Sequence, residues 1–176
     1  MRERIVPDRP GGETSLVPVL LVEDSPAARI LTAALLRRIG CDVEAVGDGE
    51  SALRTLDARP ARIVFLDIGL PGLDGIETAK RIRQLPPPAC NATLVALSGY
   101  VDGGVPDAPS GLFDGSLAKP ATRNRLARVV AAATASSRSV AAAVALPDDQ
   151  WQALAKLAVR EMRAISMQLV EARHAG

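Results

Sequence analysis

Aromatic side chains are nearly missing from this 176-residue chain, at 2% of its composition. A core must therefore rest on Val, Leu, Ile and Ala. No sign of charge dominates either: Lys+Arg 21 against Asp+Glu 20 leaves +1. That balance gives no electrostatic footprint for nucleic acid or for a membrane surface. Cysteine is scarce. Cys41 and Cys90 make neither a metal-binding spacing nor a disulfide framework, which suits a reducing cytoplasm. Long apolar runs are missing too, and the start MRERIVPDRPGGET carries no hydrophobic signal segment. The expectation is a cytoplasmic chain that neither spans nor binds a membrane.

What is present is an alternation of apolar runs and helical patterns. Residues 1–16 are charged and rich in Pro and Gly, and read as a flexible leader. VPVLLVED, residues 17 to 24, is a continuous apolar run ending in two acids, as expected of a parallel strand buried on both faces. A helix follows, with Ser25 as N-cap, Pro26 at its first position and Gly40 as its stop. CDVEAVGD predicts a second strand and GESALRTLDAR a second helix, with Ala52, Leu53 and Leu56 on one side. RIVFLDI, 62–68, predicts a third strand, and IETAKRIRQL a third helix stopped by Pro86, Pro87 and Pro88. TLVALSG and SLAKP read as fourth and fifth strands. TRNRLARVVAAA closes the unit as a helix capped by Thr122. Strands alternating with helices at these lengths predict a parallel α/β sheet.

The polar residues that break the apolar strands all fall at their carboxyl ends, where ligands gather in such sheets. Glu23 and Asp24 end the first strand, Asp67 the third, Ser98 the fourth and Lys119 the fifth. Three converging carboxylates repel one another unless a cation joins them. Hard oxygen ligands suit Mg2+, which keeps several waters and accepts one or two carboxylates plus a phosphoryl oxygen. A lysine adds a fixed positive charge for a phosphoryl group, and a hydroxyl adds a donor. An aspartate can itself be the nucleophile. The set reads as a site for phosphoryl transfer to a carboxylate.

LLVEDSP, VFLDIGLPGLDGIE, ALSGY and LAKP, in this order, resemble the four motifs of response-regulator receiver domains, over residues 17–134. The resemblance implies a flavodoxin-like, doubly wound, five-stranded parallel sheet. It implies Asp67 as phosphoacceptor, with Glu23, Asp24, Asp67 and the backbone carbonyl of Gly69 holding Mg2+. It implies Ser98 as the switch hydroxyl and Lys119 as the partner of the phosphoryl oxygens, followed by a cis bond to Pro120. Pro71, Gly72 and Gly75 match the loop after the acceptor strand, with Asp74 capping the third helix. The implied partner is a sensor histidine kinase or a histidine phosphotransfer protein, and the chain is not expected to be an enzyme.

Three departures from the family pattern stand out. VDGGVPDAPSG, residues 101 to 111, occupies the place of the fourth helix, where each interior Gly costs about 1 kcal/mol and each Pro about 3 kcal/mol. A loop, or at most one turn, is predicted there. Ser116 stands three before Lys119, where the family usually has an aromatic ring, so the switch that couples hydroxyl to ring is missing or altered. Gly69 has no side chain to steer a hydrolytic water. It also weighs against a phosphatase with a second acid at that position.

Residues 135–147 read as an Ala/Ser-rich linker or helix extension, and 148–176 as an amphipathic helix. Trp151, Leu154, Ala158, Met162, Ile165 and Leu169 fall on one stripe of that helix, which must pack on the domain, on a second copy in a homodimer, or on a partner. Arg37, Arg38, Arg123, Arg125 and Arg128 read as solvated helix faces, Cys41 and Cys90 as buried small apolar residues, and His174 as a terminal residue without a role. The alternative to a phosphorylated switch is a receiver that serves as a phosphorylation-independent interaction or dimerisation module.

Overall fold

A computed structural model describes residues 16–99, 105 and 108–135. The leader, the linker from 136 and the C-terminal helix, with the homodimer contact assigned to it, lie outside the described residues. Five strands form one fully parallel sheet of order β2-β1-β3-β4-β5: β1 Val17–Val22, β2 Cys41–Val46, β3 Ile63–Asp67, β4 Thr93–Ser98 and β5 Gly115–Ala118. The helices are α1 Pro26–Arg38, α2 Gly49–Ala58, α3 Gly75–Gln84 and α4 Arg123–Ala135. A 3-10 turn at Ala89–Asn91, not foreseen in the sequence, follows the three prolines.

Side chains alternate across each strand. Val19 and Leu21, Ile63 and Phe65, and Val95 and Leu97 point into one buried cluster that α1 and α4 close. Leu20 and Val22, Val64 and Leu66, and Leu94 point into a second cluster that α2 and α3 close. Both faces of the sheet are thus buried. Each fully buried Leu, Ile, Val or Phe side chain stabilises the fold by about 1.5–3 kcal/mol. Leu53 is only half-buried, at the edge of the second cluster, beside the buried Ala52 and Leu56.

Side-chain caps set the helix starts, at Ser25, Asp74 and Thr122 as the sequence indicates and at Asp48, which the sequence pattern assigns instead to the end of the second strand. Ser25 accepts from the Ala28 N–H at 3.5 Å, Asp48 from Ser51 at 2.7 Å and Asp74 from Glu77 at 2.7 Å, while the Arg125 N–H donates to Thr122 Oγ1 at 3.4 Å. Hydrogen bonds to Ser51 hold the Asp48 carboxyl below its ordinary range. All five strands end one or two residues short of the expected carboxyl bound, β2 at Val46, β3 at Asp67 and β4 at Ser98. β1 stops at Val22 because the chain turns through Glu23 and Asp24 to reach the Ser25 cap, and β5 stops at Ala118, shortly before Pro120, which has no N–H to offer a ladder.

Two other expectations fail. Arg128 is 3% exposed rather than solvated, since α4 is wedged against α1 and the sheet and buries Leu126, Val129, Val130, Ala132 and Ala133 as well. Cys90 is half-exposed on the 3-10 turn, whereas Cys41 is buried and its thiol is pushed up to about 11 by desolvation.

Between β4 and β5 the described residues form turns and no helix, with Ala108 bonded to Val105 and Leu112 to Pro109. Residues 101–104, 106 and 107 of the predicted loop lie outside the described residues. What anchors the return to β5 is Arg83 of α3. Its guanidinium donates to the carbonyls of Leu112, Cys90 and Ala92 and to Asp114 Oδ2 at 2.8 Å. Asp114 Oδ2 also accepts from the Leu94 N–H at 2.8 Å. Replacing Arg83 with Ala strands three carbonyls and a carboxylate, all only partly screened by water. Urea unfolding is expected to show a loss of about 2 kcal/mol; a change within experimental error removes Arg83 as the anchor.

Candidate functional site

The sheet order reverses direction between β1 and β3, and in open α/β sheets the crevice at such a switch point lies outside the strand carboxyl ends. Val22 pairs with Leu66, so Glu23 and Asp67 come next, side by side. Asp67 pairs with Leu97, which brings Ser98 beside it, and Ser98 pairs with Ala118, the residue before Lys119. Sheet register alone therefore carries four side chains to one rim.

Glu23 is 2% exposed and Asp67 5% exposed, while Asp24 is open to solvent. A carboxylate oxygen from each of the three lies within 4.8 Å of the others. Lys119 enters from β5 and puts Nζ 2.6 Å from Asp67 Oδ2 and 2.8 Å from Glu23 Oε2. Burial pulls the ammonium pKa down, but hydrogen bonds and charge attraction from Asp67 and Glu23 outweigh it and hold the value above the ordinary 10.5. The amine is charged at any physiological pH. It offsets part of the repulsion that two buried acids side by side would otherwise suffer.

The acceptor strand end is fixed in place. The Gly69 N–H donates to Asp67 Oδ1 at 2.9 Å, so each oxygen of Asp67 has a donor. The Ile68 N–H donates to the Leu97 carbonyl and the Gly75 N–H to the Ile68 carbonyl, closing the loop back on β3. Gly75 must be glycine: a Cβ there would lie 2.2 Å from the Asp67 carbonyl oxygen and 2.7 Å from Ile68 Cα. Ser98 is 3% exposed at the end of β4, and its carbonyl accepts from the Lys119 N–H at 2.7 Å. The Lys119–Pro120 bond is cis, as the resemblance implied.

Glu23, Asp24, Asp67 and Lys119 are thus brought together, with Ser98 beside Asp67 by register, while Gly69, expected to offer its carbonyl, meets Asp67 through its N–H. The donor set fits Mg2+: three hard carboxylate oxygens, one residue exposed and two buried, in reach of one small ion. Sequence reasoning missed Arg29, whose guanidinium grips the turn that carries Glu23 and Asp24. A basic residue five after the acidic pair was the available signal.

Residues 19–131 match the model of the response regulator receiver domain family, and the chain belongs to that family. It is 31% identical over 112 residues to the autoinducer 1 sensor kinase/phosphatase LuxN of Vibrio harveyi, covering 64% of this chain and 13% of the relative. It is 33% identical over 115 residues to the sensor protein TorS of Escherichia coli, covering 64% and 12%. The transcriptional regulatory protein TcrA of Mycobacterium tuberculosis is 39% identical over 84 residues, or 48% of this chain and 33% of that protein. The matched part is therefore a minor share of each relative's length.

Among solved structures, the receiver domain of a Pseudomonas aeruginosa sensor histidine kinase, with a magnesium ion in its active-site cleft, superposes with a TM-score of 0.59 at 28% identity, covering 69% of this chain and all of that one. The response regulator TrrA of Thermotoga maritima, in complex with Mg2+ and a beryllium fluoride, gives 0.60 at 27% identity, covering 67% and 99%. This chain is a receiver domain of the two-component signalling class, with the flavodoxin-like sheet that the class shares. Among the described residues no helix is long and apolar enough to cross a membrane.

The pairing of Lys119 with two buried acids yields a direct test. Lys119→Met leaves Glu23 and Asp67 without their shared cation. We expect a stability loss of about 2 kcal/mol, below the usual figure for a buried pair because Lys119 keeps 30% exposure to screening water. Millimolar Mg2+ restores most of it by supplying the missing charge. Urea titrations with and without Mg2+ measure both effects, and a loss untouched by Mg2+ contradicts a common cation site.

Proposed function

We propose that this receiver accepts a phosphoryl group on Asp67 from the phosphohistidine of a sensor histidine kinase or histidine phosphotransfer protein, and signals through protein–protein contacts. One observation carries the reading: Lys119 Nζ bridges Asp67 and Glu23 beside a cluster of three carboxylates. A carboxylate oxygen of Asp67 attacks phosphorus. The P–N bond breaks, its electron pair returns to the imidazole nitrogen, and an acyl phosphate remains. Lys119 exchanges its bond to Asp67 for one to a phosphoryl oxygen, and the Ser98 hydroxyl donates to another. Mg2+ bound by Glu23, Asp24, Asp67 and the Gly69 carbonyl would neutralise charge on the transferring group. The chain on this reading is a phosphoacceptor, not an enzyme turning over an outside substrate. It works in the cytoplasm, without nucleic acid or membrane as partner.

A second reading has its own support. Ser116, 9% exposed and paired with Ala96, puts a small hydroxyl where a ring would couple Ser98 to the surface. A receiver without that ring could hold partners equally with or without phosphate. Incubating the protein with Mg2+ and a small phosphodonor is expected to add one phosphoryl mass, labile in base, that Asp67→Asn abolishes. Titrating a partner against both forms then separates the readings. No mass gain with any donor sinks the first, and equal affinity of the two forms favours the second.

A further inference from the structure

We propose that Arg29 is a positioning residue for the cation site, with Gly47 making room for it. Arg29 holds the turn after β1 so that Glu23 and Asp24 present their carboxylates toward Asp67. The inference rests on the phosphoacceptor reading above.

Ser25 and Pro26 fix where α1 begins, and the Arg29 N–H closes the first turn onto the Ser25 carbonyl at 2.9 Å. Helical side chains lean toward the N-terminus, so Arg29 reaches back over that turn. Its Nη1 donates to the Glu23 carbonyl at 2.6 Å and to the Asp24 carbonyl at 3.1 Å. The Glu23 N–H meanwhile donates to the Val46 carbonyl at 3.1 Å. Glu23 is therefore held at both its backbone groups, and Asp24 at its carbonyl. The guanidinium lies over the end of β2, where a Cβ on Gly47 would come within 3.0 Å of Nη1 and 3.6 Å of Cζ. These bonds go to main-chain oxygens rather than to carboxylates. Arg29 thus acts on where the acids sit more than on their charge. Residues that orient metal ligands in this way commonly change metal affinity by about 10- to 100-fold when lost.

The test is Mg2+ affinity of the full chain by titration calorimetry. Arg29→Gln is expected to weaken Mg2+ binding by about tenfold. Arg29→Lys keeps the charge but ends one bond short of the two carbonyls, and is expected to weaken binding comparably. Gly47→Ala shifts affinity in the same direction and adds nothing in the Arg29→Gln background, because both act through one contact. Metal-free melting temperatures fall modestly in Arg29→Gln, which leaves two carbonyls without their donor, so affinity is read well below the transition.

Unchanged affinity in Arg29→Gln, full recovery in Arg29→Lys, or additivity of the two sites each overturns the proposal. If Arg29→Gln does not fold, Arg29→Lys carries the test alone, and wild-type affinity there overturns it. A wild-type chain that binds no Mg2+ overturns the phosphoacceptor reading and this inference together, whereas binding that is indifferent to Arg29 overturns only the latter.

Discussion

The structure turns on an electrostatic constraint: two acids, Glu23 and Asp67, are buried side by side and share one ammonium. Burying a carboxylate is costly unless a partner neutralises it. Lys119 meets that need for both, at 2.8 and 2.6 Å. The arrangement is stable but not saturated, since Asp24 adds a third negative group within 4.8 Å. An excess of negative charge in a partly buried cleft is what a divalent cation and a phosphoryl group together can satisfy. Stability and chemistry thus make the same demand on Lys119.

Everything else serves to hold those groups at one rim. Parallel pairing aligns the strand ends, so that one-residue steps past Val22, Leu66, Leu97 and Ala118 deliver Glu23, Asp67, Ser98 and Lys119. The two apolar clusters lock the register, because a slip by one residue would turn each strand's side chains to the wrong face. Gly75 lets the start of α3 sit against the acceptor strand, and the Gly69 N–H fixes the Asp67 carboxylate.

Much of this was legible in the residues. Strand interiors as apolar as IVFL, bracketed by Ser25, Asp74 and Thr122 at helix starts, leave little choice of architecture. Site residues were legible for a related reason: a charged residue ending an apolar strand is conspicuous, and the topology says where strand ends meet. Contacts between segments far apart in sequence were not legible. Arg83 and Asp114 form a hub across 31 residues with no periodic signature. Arg128 carries a charge that argued for solvent, yet it sits on the packed side of α4, and Cys90 reads as apolar yet lies on a surface turn. Arg29 went unremarked because its partners are backbone carbonyls, so that only its place five after Asp24 hinted at a role.

The central claim is that acids from β1 and β3 converge on one cation site. Adding substoichiometric Mn2+ to isotope-labelled protein and following paramagnetic broadening of backbone amides tests it most directly. The account predicts that the amides of Glu23 to Ser25 and Asp67 to Leu70 broaden first, followed by those at the ends of β4 and β5. Broadening centred instead on the half-buried Asp42 and the exposed Glu44, or spread evenly over the surface, would contradict it.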